Sequence, residues 1–417
     1  MRIMKDSHEA WIGHIPYEWD LTTIGDIYKE RSVKVSDLDY PALSVTMNGV
    51  VPQLDSVAKS DDRFNRKLVR KGDFVINSRS DRRGAYGVAS QDGSCSLINI
   101  VLQSKSCDVD YYNYVFFTKS FPEEFYKMGN GIVADLWTTR WDKMRHIKLP
   151  NPPIGEQKRI SKYLDKKCEE IEKLITLIDA SIKEYKTVKN ALILKIVLEG
   201  INDSHPQKVH RNDWLQLVPA DWKIGRIADL FREISEPGEE DLPILTVSIN
   251  TGVSDRELSE DEQDRAFVRS EDRTKYKRVY PGCITYNMMR AWQGAIGTVR
   301  VDGLVSPAYV VARPISNVDS RYIGYLISTK PAIEEMRRYS YGVADFRLRL
   351  YWRYFKNMSV CLPPLEEQVM IADYLDEKIV AIDSLIREKE QLLTELKNYK
   401  KALIYEYVTG KKEVPQS

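Results

Sequence analysis

The strongest constraint in this sequence is that the chain is two copies of one unit. W-x-x-x-I-P-x-x-W (Trp11, Ile15, Pro16, Trp19) recurs as W-x-x-x-V-P-x-x-W (Trp214, Val218, Pro219, Trp222), and each runs on into a matching stretch, IGDIYKE at 24–30 and IADLFRE at 227–233. LSVT (43–46) answers to LTVS (245–248). KGDFVINSRSDRRGAYG (71–87) answers to PGCITYNMMRAWQGAIG (281–297), with Gly72/Gly282, Asn77/Asn287, Gly84/Gly294 and Gly87/Gly297 in register. VAD recurs at 133–135 and 343–345, and Trp141 answers to Trp352. Each copy closes alike, with PPIGEQKRISKYLD at 152–165 and PPLEEQVMIADYLD at 363–376. The period of about 210 residues is far too long for a solenoid. Each copy is large enough for its own core.

Within a copy the texture changes once. The first part mixes short β-branched or aromatic runs (FVIN, ITYN, AYVVA) with Gly, Pro, Asn and Asp, the pattern of a twisted, mostly antiparallel sheet with a few helices. After Pro-Pro it becomes helical: prolines suit a helix start, and Glu156 or Glu366 and Glu367 suit its positive dipole end. No Gly or Pro then occurs from Gln157 to Glu199 or from Leu365 to Thr409.

Leu164, Ile171, Ile178, Tyr185 and Leu192 recur every seven, with Cys168, Ile175, Ile182 and Ile196 between them. The second run has Leu375, Ile382, Leu396 and Leu403, with Ile371, Ile379, Ile386 and Leu393. These are coiled-coil heptads, and about 43 helical residues make a rod of roughly 65 Å. Each could be a long amphipathic helix packed on its own domain, but two equal seams in one chain more naturally pair with each other, and antiparallel, because each helix returns to a domain of the same kind.

The expected fold class is α+β: two mixed α/β domains separated by two long helices forming an antiparallel coiled coil, with an internal pseudo-two-fold repeat. The expected boundaries are domain 1 over 1–150, helix 1 over 151–200, a linker over 201–213, domain 2 over 214–361, helix 2 over 362–410 and a tail over 411–417.

No run approaches the roughly 18 apolar residues of a membrane span, and MRIMKDSHEAW lacks a signal-peptide core. Five widely spaced cysteines (Cys95, Cys107, Cys168, Cys283, Cys361) without C-x-x-C read as reduced thiols, so a cytoplasmic location is expected.

Catalytic motifs are approached but not completed. Asn151-Pro152-Pro153-Ile154 resembles the N-P-P-aromatic motif of adenine methyltransferases, yet Ile154 cannot stack on a flipped base and no Gly-rich turn lies upstream. Glu156-Gln157-Lys158 matches the E-x-K tail of a nuclease site, but its counterpart Glu367-Gln368-Val369 loses the lysine. There is no P-loop for an ATP-driven motor. The histidines His8, His14, His146, His205 and His210 are scattered, so no metal site is expected.

The charge map points to binding. Arg63, Arg66, Lys67, Arg70, Lys71, Arg79, Arg82 and Arg83 face only Asp73 and Asp81 in their stretch. Arg265, Arg269, Arg273, Lys275, Lys277, Arg278 and Arg290 lie at the equivalent point of the repeat. Such residues pair with phosphates, and a bidentate arginine reads guanine. A third stretch, 337–356, includes Arg347, Arg349, Trp352 and Arg353, and its counterpart holds Thr138, Thr139, Arg140 and Trp141.

The copies differ most between SRSDRRG (78–84) and MMRAWQG (288–294), implying two different half-sites. The candidate DNA-binding residues are therefore Arg66, Lys67, Asn77, Arg79, Ser80, Arg82, Arg83, Thr139, Arg140, Lys277, Arg278, Asn287, Arg290, Trp292, Arg347 and Arg349. The helix-seam candidates are Leu164, Ile171, Ile178, Ile182, Leu375, Ile382, Ile386 and Leu393. The acidic block from Glu233 to Asp264 is expected to face solvent or a partner, away from DNA.

The layout resembles the specificity subunit of type I restriction-modification systems. The resemblance rests on the junctions Leu149–Gln157 and Leu362–Gln368, the Y-L-D heptad helices and the two I/V-P-x-x-W openings, and it covers essentially the whole chain. It implies two target recognition domains, each reading half of a split sequence in double-stranded DNA, and spacer helices that dock two modification (methyltransferase) subunits. It implies no cofactor in this chain: the modification subunits use S-adenosylmethionine, and restriction subunits use ATP and magnesium. Lys189, Lys389 and Lys400 depart from the pattern by occupying seam positions, which a solvated or partner-facing seam explains. Two other readings are a coiled-coil scaffold without sequence readout and the recognition arm of a single-chain restriction enzyme.

Overall fold

The computed structural model describes residues 2–47, 49–53, 64–130, 137–201, 206–210, 214–249, 251–259, 272–342 and 348–415. The chain divides into two compact units, residues 1–179 with 391–417 and residues 180–390.

In the first unit the apolar run FVIN becomes one of the two inner strands of a four-stranded antiparallel sheet. Its members are β1 (Tyr28–Glu30), β2 (Phe74–Asn77), β3 (Tyr86–Val88) and β4 (Asn99–Ser104), in the order β3-β2-β4-β1. β4 pairs Asn99 with Asn77 and Leu102 with Phe74. Phe74, Val75 and Ile76 are all fully buried because both faces are covered. Phe74, Ile76, Ile100 and Leu102 join the main core, while Val75 and Val101 join a smaller cluster with Leu43, Val50, Val69 and Cys95. Helices α1 (Val109–Phe116) and α2 (Phe121–Lys127) line the main core with aromatics, and the rings of Phe74 and Phe116 lie 4.3 Å apart.

The second unit rebuilds this plan. β5 (Phe231–Ile234), β6 (Ile284–Asn287), β7 (Ile296–Thr298) and β8 (Tyr309–Pro314) run in the order β5-β8-β6-β7, with Asn287 paired to Tyr309 as Asn77 is to Asn99. Two helices, Ser320–Ser328 and Lys330–Arg338, correspond to α1 and α2.

The long helices are Ile154–Glu199, 46 residues, and Leu365–Val408, 44 residues. Each unit contains the start of one and the end of the other, running antiparallel. In the first unit the rings of Tyr163 and Tyr407 lie 4.7 Å apart and Lys400 bonds Glu172. In the second, Lys189 meets Asp383 at 2.7 Å, Lys186 meets Glu390 at 3.0 Å, and Lys389 lies 5.5 Å from the Tyr185 ring. The three seam lysines thus each find a partner on the facing helix. Leu164, Ile171, Ile182, Leu375 and Ile386 are buried, and Ile178, Ile382 and Leu393 are half-buried. Both helices stop at a glycine with positive φ, Gly200 at 84° and Gly410 at 68°, the left-handed close that only glycine adopts freely.

The segment read as a linker contains a strand. Gln207–Val209 pairs with Leu217–Pro219, as Met4–Asp6 pairs with His14–Pro16. The second copy therefore begins before Trp214; three-residue strands are too short to show a period in sequence. Nor is the segment after Gly410 merely a tail, since Glu413 pairs with Arg2 at 2.8 Å and Lys412 with Glu406 at 2.7 Å.

Candidate nucleic-acid interface

The glutamate, glutamine and aspartate of the junction motif each make the same contact in both copies. The Trp19 indole donates to Glu156 at 3.0 Å, and the Trp222 indole to Glu367 at 3.2 Å. Gln157 is buried; it donates to the Pro152 oxygen at 2.9 Å and accepts from the Asp108 amide at 3.0 Å. Gln368 does the same with Pro363 and Asp319 at the same distances. Asp108 and Asp319 in turn cap the helices Val109–Phe116 and Ser320–Ser328. The aspartate of Y-L-D accepts from a tyrosine: Tyr114 to Asp165 at 2.8 Å, Tyr325 to Asp376 at 2.5 Å. These contacts fasten the long helices to the domains whose loops they carry.

Those loops follow the inner strands. After β2 the Asn77 carboxamide accepts from the Arg79 amide at 3.0 Å, and after β6 Asn287 accepts from Met289 at 3.0 Å. These Asx turns start the short 3-10 turns Ser80–Arg82 and Ala291–Gln293. A second loop locks onto each: Thr139 donates its amide to Ser78 at 2.9 Å, and Leu350 to Met288 at 2.9 Å. Beneath lies a cation–π contact whose partners exchange sides. In the first unit Arg83 of the loop sits 5.7 Å from the ring of Tyr126 on α2; in the second, Trp292 of the loop is faced at 5.6 Å by Arg337 on Lys330–Arg338.

The exposed basic residues of this surface are Arg82, Arg83 and Arg140 in the first unit, with Arg79 partly exposed and paired to Asp81 at 3.1 Å. In the second unit they are Arg349 and Arg353, with Arg290 half-buried and Trp292 held by a bond to the Met289 oxygen at 2.9 Å. Arg347 lies outside the described residues.

Several expected DNA contacts are committed elsewhere. Arg66 is buried, with its guanidinium on Ser94. Lys67 donates to the main-chain oxygen of Asn99 at 2.8 Å, and Lys277 to that of Tyr309 at 2.7 Å. Burial holds the Lys277 ammonium below the ordinary lysine range. Thr139 is buried on the Phe125 oxygen, Ser80 is buried, and Asn77 and Asn287 are turn-formers.

Arg278 is engaged by Glu239 and Asp302, and Arg273 pairs with Glu257 at 3.2 Å. Tyr280 donates to Glu236. Part of the acidic block therefore packs on the basic stretch beside it instead of facing outward. The reason is general: a charge run in a chain of near-zero net charge is neutralised locally where strands bring opposite signs together.

No family model matches the chain. Over 95% of its length it is 23% identical to the type I restriction enzyme MjaVIII specificity subunit of Methanocaldococcus jannaschii, with 93% of that protein covered. Over 96% it is 21% identical to the chain named as the type I restriction enzyme MjaX specificity subunit of the same organism, with 95% of that protein covered. Its fold matches, at a TM-score of 0.66 and 13% identity, a chain solved in work on complex assembly and conformational transition of the type I R-M system, covering 95% of this chain and 99% of that one.

In sequence the chain is similar, over nearly its whole length, to type I restriction enzyme specificity subunits.

The motifs that approached catalytic patterns have other roles in this fold. Asn151 accepts from the Tyr112 hydroxyl at 3.0 Å and from Gln157 at 3.3 Å. Glu156 is occupied by Trp19 and by Arg2 at 2.7 Å. Among the described residues no helix is long and apolar enough to cross a membrane, and no three His, Cys, Asp or Glu side chains converge as a metal site.

Proposed function

We propose that this chain is the DNA-reading subunit of a type I restriction-modification complex, in which each unit reads one half of a split duplex target. The observation that carries this reading is the pair of equivalent loops, 78–84 and 288–294. Each is fixed by the same Asx turn and the same second loop, yet they present different side chains. A scaffold held constant beneath varied loops is what two readers of two sequences require.

The domains are proposed as 1–150 and 214–361 with the earlier start noted above, and the continuous helices Ile154–Glu199 and Leu365–Val408 as spacer and docking face. Along them Leu174, Leu385, Val188 and Tyr399 are exposed, and Leu174 corresponds to Leu385 and Val188 to Tyr399 in the repeat. Two modification subunits using S-adenosylmethionine, and restriction subunits using ATP and magnesium, supply the chemistry; this chain supplies none. The setting is the cytoplasm.

The test is to express the chain with its modification partner and sequence the methylated adenines. A split motif supports the reading. Methylation without a motif, or with a contiguous one, refutes it.

A further inference from the structure

The two recognition loops differ in kind as well as in sequence. Where the first unit places Arg82, Arg140, Lys143 and Asn130, the equivalent positions of the second hold Trp292, Tyr351, Tyr354 and Tyr341. Three of the second unit's groups form a pile: Arg353 lies 4.7 Å from the Tyr354 ring, and Tyr354 lies 4.2 Å from Tyr341 with an interplanar angle of 32°. The outermost ring, Tyr341, is 54% exposed. Its backbone is fixed by two bonds to Arg349, each 3.0 Å, and the adjoining Leu350 is tied to the recognition loop.

We propose that Tyr341 is a wedge that continues this pile onto a base of duplex DNA, opening one base step in the half-site read by the second unit. The inference rests on the DNA-reading function proposed above. A planar ring held at half exposure by a neighbour on its other face has lost its rotational freedom before binding, so stacking costs little extra ordering. Arg349 and Arg353 beside it supply phosphate attraction. Side chains inserted at a base step unstack it and kink the duplex. At this position the first unit has no ring: Asn130 makes the same bridge to Thr138, and the half-exposed indole of that loop, Trp137, stands beside Thr138 on the facing arm. One half-site is thus read on an intact stack and the other on an opened one.

The test uses the complex with its modification subunits and a duplex bearing the target found by methylome sequencing. 2-Aminopurine replaces each adenine in turn except the two that are methylated, since the modification subunits flip those out of the stack themselves. Fluorescence is expected to rise on saturation at one step, in one half-site only. Tyr341→Ala should abolish the rise and weaken binding about 5- to 150-fold, the range for losing one stacked base. Tyr341→Phe should keep both. Tyr341→Asn installs the residue that Asn130 places at the same bridge position of the first unit and offers no apolar wedge, so it should lose the rise even if the alanine variant misfolds.

If the rise survives Tyr341→Asn, or if Tyr341→Phe loses as much affinity as alanine, the wedge is wrong while DNA reading stands. If the unaltered complex binds target and random duplex equally, the DNA-reading function fails and the wedge with it.

Discussion

Lys67 reaches 2.8 Å from the main-chain oxygen of Asn99, and Lys277 repeats the contact on Tyr309 at 2.7 Å. A pair of cations with the same inward partner in both copies belongs to the scaffold. Lys67→Met or Lys277→Met should therefore cost about 1.5–3 kcal/mol of stability, the worth of a charge-assisted bond, and leave the salt dependence of DNA binding unchanged. Denaturant titration and salt-series binding check the two halves of this expectation.

Arg82 and Arg140 should behave in the opposite way. Each exposed arginine that meets a phosphate contributes about 0.9 to the log–log salt slope. Arg82→Ala and Arg140→Ala should each flatten the slope by about that amount and leave the melting curve in place. An unchanged slope for both would remove this face from the interface.

The junctions predict opposite responses to acid. Burial raises the Asp376 carboxyl, but the Tyr325 hydroxyl, Arg300 and Arg321 outweigh it and hold its pKa below the ordinary 3.8. Its contribution is present above 3.8 and is lost as pH falls through the depressed folded value. Asp110 in the first unit is raised by burial and by Asp108 and Asp165. Its contribution is present below 3.8 and is lost as pH rises through the raised value. At neutral pH Asp110→Asn should thus stabilise and Asp376→Asn destabilise. Melting temperatures from pH 3 to 7 read both.

Exchanging residues 206–360 for the equivalent domain of a relative should change one half of the methylated motif and keep the other. A change in both halves would mean that the units do not read independently.

Inserting four residues near Lys183, about one helical turn or ~6 Å, with a matching insertion near Thr394 to keep the seams in register, should move methylation to sites whose halves are one or two base pairs further apart. Unchanged spacing in a folded, assembled double insertion would show that the helices are not the ruler.

The duplication, the heptad seams and the Pro-Pro helix starts were legible because each is a periodic or positional signal that survives without tertiary context. Leu164, Ile171 and Ile386 are buried as their spacing requires. The charge patches were less legible. Arg66, Lys67 and Arg278 lie in basic stretches that recur at one place in the repeat, but such recurrence is expected of scaffold residues as much as of binding ones. Only three-dimensional partners such as Ser94, Asn99 and Glu239 separate the two. The motif glutamines marked the junctions, but what they do was not legible. A buried carboxamide that links a proline oxygen to a helix cap 49 positions away leaves no local pattern.

The first unit's core includes Leu403, Ile404, Tyr407 and Val408, and the Tyr111 hydroxyl closes on the Val408 oxygen at 2.8 Å. On a ribosome those residues emerge after the whole of residues 180–390. The half that is synthesised first is therefore finished last: the second unit can close while the first still lacks part of its interior. A chain cut short in its final helix would leave its opening domain, not its closing one, without a wall.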